Sequence, residues 1–95
     1  MTSQEITNFI DCVAFEDCTV SLHGHIYWCL GLTWDGAVYC TQVYEDDPVT
    51  HDFVREMITY ESPSKDDCMK HFLEDKYWDG KSFYEVAPDM EWIDL

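Results

Sequence analysis

The sequence predicts an α+β domain: an N-terminal helix, an antiparallel meander sheet of three to four strands, and one or two C-terminal helices. Three observations point there. Thr2-Ser3-Gln4-Glu5 is a T-x-x-E capping box ahead of an apolar helical face, residues 18–44 alternate in character about two glycine-containing bends, and Ser64 and Ser82 stand where further helices can start. At 95 residues the chain, 1–95, is expected to form one domain around one core.

The first helix carries Ile6, Phe9, Ile10 and Val13 at i, i+3, i+4, i+7 and is expected from about Ser3 to Phe15, where Glu16-Asp17 opposes the helix dipole. Strands follow. Trp34-Asp35-Gly36-Ala37 reads as a type I′ two-residue hairpin, pairing 34 with 37, 32 with 39, 30 with 41 and 28 with 43. That register puts Trp28, Leu30, Leu32, Trp34, Ala37, Tyr39, Thr41 and Val43 on the core face, and leaves Tyr27, Cys29, Val38, Cys40 and Tyr44 on a mixed face. A three-residue tip, His23-Gly24-His25, pairs Leu22 with Ile26 and Val20 with Trp28, which keeps the apolar set on one side.

Glu45-Asp46-Asp47-Pro48 breaks the pattern. Residues 53–60 read as a fourth strand in preference to a helix, because they are rich in strand formers and Ser62-Pro63-Ser64 offers an exit. Ser64 caps a second helix from about Lys65 to Lys76 with Asp66 and Asp67 in its first turn. Trp78-Asp79-Gly80 makes a turn, Ser82-Phe83-Tyr84-Glu85 is a second capping box stopped near Pro88, and the tail Asp89–Leu95 is expected to dock its apolar residues.

Charge is the most informative property. Twenty acidic and five basic residues give a net charge of −15, beyond the magnitude of roughly 2–8 that serves the solubility of a small domain. Such a chain repels phosphate backbones and anionic lipid, so no direct nucleic-acid or membrane binding is expected, and its natural partners are basic proteins. No apolar run is long enough to cross a bilayer, and the N-terminus lacks a signal-peptide pattern. Cys12, Cys18, Cys29, Cys40 and Cys68 form an odd set without a C-x-x-C pair, which reads as reduced thiols in a cytoplasmic protein.

No catalytic, cofactor-binding or metal-binding residue is expected. His23, His25, Cys29 and Cys18 are the nearest thing to a metal cluster, but the register above sends Cys18 and Cys29 to opposite faces. Cys40 or Cys29 with a histidine would be a nucleophile pair, and the negative field works against a thiolate. Gly80-Lys81-Ser82 lacks the earlier glycine of a P-loop. The acids themselves are the candidate site. Residues 45–95 hold 15 acids and all five bases, and Glu45, Asp46, Asp47, Asp52, Asp66, Asp67, Glu74 and Asp75 are expected to form a partner-binding surface.

In element order and acidic excess over most of the chain, the sequence resembles small anti-CRISPR proteins of phages and mobile elements. The resemblance implies DNA mimicry: carboxylates standing where DNA would place phosphates and occluding a basic groove of a nuclease. Immunity proteins against nuclease toxins are similar in size and charge. The alternative from another class is a housekeeping domain that forms a homodimer through its mixed sheet face.

Overall fold

The structure, a computed structural model, describes residues 1–93. Its elements are α1 (Ser3–Val13), β1 (Cys18–Leu22), β2 (His25–Trp34), β3 (Tyr39–Asp46), β4 (Phe53–Ser62), α2 (Lys65–Glu74), α3 (Phe83–Val86), a 3-10 turn (Ala87–Asp89) and β5 (Glu91–Ile93). The α+β class is as expected. The sheet is wholly antiparallel and five-stranded, in the order β4-β3-β2-β1-β5.

The local start signals behave as read. Thr2 Oγ1 accepts the Glu5 N–H while Glu5 Oε1 accepts the Thr2 N–H, and Ser82 and Glu85 repeat the arrangement at α3. Ser64 Oγ accepts the Asp67 N–H and opens α2. Residues 53–60 are indeed strand. The first and second helices end earlier than expected, at Val13 and Glu74 in place of Phe15 and Lys76. The tail contributes more than docking, since Glu91–Ile93 pairs with β1 as the fifth strand. The docking expected of Leu95 lies outside the described residues.

Both hairpins correct the expected register. Between β1 and β2 the turn is two residues, His23-Gly24, each at positive φ (51° and 82°), so Leu22 pairs with His25 and Val20 with Tyr27. His23 accepts the left-handed conformation that the three-residue reading had left to Gly24 alone. Between β2 and β3 the loop is four residues, with Trp34 opposite Tyr39. Its cause is the Asp35 carboxylate, which accepts the N–H groups of Ala37 and Val38, both at 2.9 Å, and so holds an Asx-type loop in place of the type I′ turn. The second W-D-G does adopt a two-residue turn of this kind: Asp79 and Gly80 have φ of 53° and 83°, and Trp78 and Lys81 exchange backbone hydrogen bonds.

A one-residue slip inverts a strand. In β2 the core side is therefore Tyr27, Cys29 and Gly31, while Trp28, Leu30 and Leu32 are only half-buried and Trp34 is exposed. On β3 Thr41 and Val43 are buried as expected, Tyr39 is half-buried, and Ala37 is an exposed loop residue. Gly31 is required where it stands, because a Cβ there would lie 2.8 Å from the Val13 carbonyl oxygen. The backbone of α1 rests directly on β2.

All three helices share one face of the sheet. Phe9 stacks on Phe83 at 5.5 Å, Phe83 meets Phe72 at 5.4 Å, and Tyr27 meets Trp78 edge-on at 4.9 Å, joining α1, α3, α2 and β2 in one core with Val20, Cys29 and Val43. Against the reading that set them on opposite faces, Cys18 and Cys29 are direct cross-strand partners on this core side.

Candidate functional site

The eight acids expected to form one surface do not do so. Glu45 is buried, its carboxylate accepting Arg55 Nε at 2.8 Å and lying 2.9 Å from His25 Nδ1. Burial pushes this carboxyl up, but Arg55 and His25 outweigh it and hold it below the usual range. Glu45 is thus an internal charge joining β2, β3 and β4. Asp46, next along β3, is buried on the opposite face of the sheet, and Asp47 Oδ1 accepts the N–H groups of Val49 and Thr50, closing the loop to β4. Asp52 is exposed.

The other four acids lie on or beside α2. Asp66 and Glu74 are exposed, Asp67 accepts the Tyr60 hydroxyl at 2.6 Å, and Asp75 lies 2.7 Å from His71 Nδ1. His71 in turn stacks on Tyr60 with ring centroids 3.8 Å apart. Residues 45–52 sit at one end of the ten-residue β4 and the α2 N-terminus at the other, about 30 Å away at the rise of an antiparallel strand. Two acidic patches result.

The face of the sheet opposite the helices offers a different arrangement. Pairing places Ile93, Thr19, Trp28, Tyr44 and Glu56 in one row across the five strands, and Glu91, Ser21, Ile26, Asp46 and Phe53 in the next. Trp28 and Tyr44 are nearly parallel, 11° between planes and 6.4 Å between centroids, and Tyr44 continues to Phe53 at 6.0 Å. Burial first, and then the charges of Asp46 and Asp17, push the Tyr44 phenol upward. Acids therefore surround the aromatic strip.

No base stands in these rows. Arg55 turns to Glu45 on the helix side, Lys65 and Lys70 are on α2, and Lys76 and Lys81 follow it. Where β1 begins, Glu16, Asp17, Cys18, Thr19, Trp28, Trp92 and Ile93 line a depression of about 180 Å³. Glu16, Asp17 and Trp92 were absent from the expected site. The signal lay in the first hairpin: a His23-Gly24 turn puts Thr19 opposite Trp28, and strand alternation then brings Asp17 to the same side.

Among the described residues no group of three or more His, Cys, Asp or Glu side chains could hold a metal ion. All five cysteines are free thiols with raised pKa values. Burial, with Cys12 and the nearby acids, pushes Cys18 up to about 12, and burial pushes Cys29 higher still, so the core thiols stay protonated at neutral pH. No helix among the described residues is long and apolar enough to cross a membrane.

The fold and its surface define a two-layer α+β domain with helices on one side of an antiparallel sheet and an aromatic, acidic face on the other. Comparison with protein-family models, with curated proteins and with solved structures finds no match.

Proposed function

We propose that this is a binding protein and not an enzyme: a cytoplasmic inhibitor whose acidic surface docks on a basic, nucleic-acid-binding surface of a partner protein and occludes it, as a DNA mimic does. One observation carries the reading. Among the described residues Arg55 is the only Lys or Arg in an ion pair, with Glu45, so the carboxylate excess remains uncompensated at the surface. A field of that kind accelerates encounter with a cationic surface and repels nucleic acid. A nuclease fits this description, whether an RNA-guided one or a toxin met by its immunity protein. Five free thiols suit a reducing compartment.

Pull-down from a bacterial lysate tests the reading. A basic nucleic-acid-binding protein should be retained at low salt, released steeply as salt rises, and displaced by DNA or RNA. Failure to retain any basic protein at low salt removes the proposal.

A further inference from the structure

We infer that the docking site is the uncovered sheet face, and that it recognises arginine: one guanidinium seats in the depression beside Trp28, Glu16 and Asp17, and others lie along Trp28, Tyr44 and Phe53. The inference rests on the reading above and names the surface that serves it.

Size comes first. At about 180 Å³ the depression is smaller than the roughly 300–1,000 Å³ of pockets that take drug-sized ligands, and suits a single side chain. Its lining then selects which one. Two exposed carboxylates, Glu16, which also accepts the Cys12 thiol, and Asp17, flank the Trp28 indole, while Trp92 borders the depression from β5 with its indole turned to Phe9 on the helix side. Tryptophan is the best aromatic partner for a cation, and a planar guanidinium can stack on a ring while its N–H groups meet a carboxylate edge, which a lysine ammonium cannot do as well.

Charge complementarity separates a basic partner from a second copy. A two-fold interface through this face would set Glu56, Asp46 and Glu91 against the same residues of another chain, with no Lys or Arg in either row to answer them. An arginine-bearing surface answers all of them. The aromatic strip supplies apolar anchors at the centre and the carboxylates form the rim, the arrangement of residue types in which binding energy concentrates.

The test is an NMR titration of the intact chain with an oligo-arginine peptide and, separately, an oligo-lysine peptide of equal length at low salt. Expected are a shift of the Trp28 indole N–H signal and affinity about tenfold higher for arginine than for lysine. Changing Glu16→Gln and Asp17→Asn together should weaken the arginine peptide about tenfold, whereas Asp66→Asn with Glu74→Gln on α2 should have much less effect. Phe53→Ala, at a side chain 64% exposed, tests the strip without touching the core. Circular dichroism checks each fold. Shifts confined to α2 and residues 45–52, equal affinity for both peptides, or a salt-resistant dimer that buries the Trp28 indole would overturn the inference and leave the acidic-inhibitor reading standing. Binding of neither peptide at low salt would overturn both.

Discussion

Trp28 and Tyr44 face each other across β2 and β3 with nearly parallel rings, on the side of the sheet that no helix covers. The residue before Trp28 does the opposite, because Tyr27 is buried against Trp78 in the core. Truncating Tyr27 to Ala should therefore cost about 3–4 kcal/mol, and truncating the larger Trp28 only about 1–2 kcal/mol. Urea denaturation of the two variants measures the difference. The reverse order would mean that Trp28 is the core residue, as the uncorrected register required.

Gly31 tests the same strand from the helix side. An added methyl would meet the Val13 carbonyl oxygen at 2.8 Å and both Val13 methyls near 3 Å, and a helix backbone cannot step aside as a side-chain tip can. Gly31→Ala should destabilise by about 1–3 kcal/mol. A neutral result would show that α1 does not rest on β2 at that point.

His23 reports the first turn. Its φ of 51° is acceptable to Asn and costly for a β-branched residue, so His23→Val should lose about 1–2 kcal/mol while His23→Asn holds or gains stability. Equal effects would return the turn to three residues, where position 23 need not be left-handed.

These tests bear on what the sequence could reveal. Signals held within a few residues were legible, such as the paired caps Thr2/Glu5 and Ser82/Glu85 and the Ser64 cap, because each is a local exchange of hydrogen bonds. Strand register was not. Asp-Gly has two competing local solutions, and at Asp35 the carboxylate captured two backbone N–H groups, whereas Asp79-Gly80 kept the tight turn. The acid-rich composition rightly drew attention to carboxylates, but Arg55 lies ten residues after Glu45 and His25 twenty before it. Only the tertiary pairing of β2, β3 and β4 takes Glu45 out of the surface.

Unneutralised charge has a cost that salt should relieve. With a net charge of −15 and four lysines unpaired among the described residues, repulsion between carboxylates opposes the compact state. Raising salt from very low concentration towards ~0.1 M, where the Debye length falls to about 10 Å, should raise the melting temperature. Calorimetry across a salt series measures it. A falling melting temperature would mean that attractive pairs dominate the folded state's electrostatics.

Glu45 should give acid unfolding a recognisable source. Its folded carboxyl lies below the ordinary value, so the unfolded chain binds the proton more readily, and stability from this group is present above the unfolded pKa of about 4.3. That contribution disappears as pH falls through the lower, folded value. Glu45→Gln removes the charge that Arg55 and His25 share, and because both partners remain half-exposed the loss at neutral pH should be about 1–3 kcal/mol, short of the full penalty for orphaning a buried charge. Once pH has fallen through that lowered folded value the wild-type carboxylate is protonated in its turn, so the stability curves of wild type and variant should converge towards acid pH. Denaturant unfolding across a pH series from neutral into the acid range follows the approach. Curves that stay parallel throughout would mean that the Glu45 network contributes through packing alone and that acid sensitivity originates in other carboxylates.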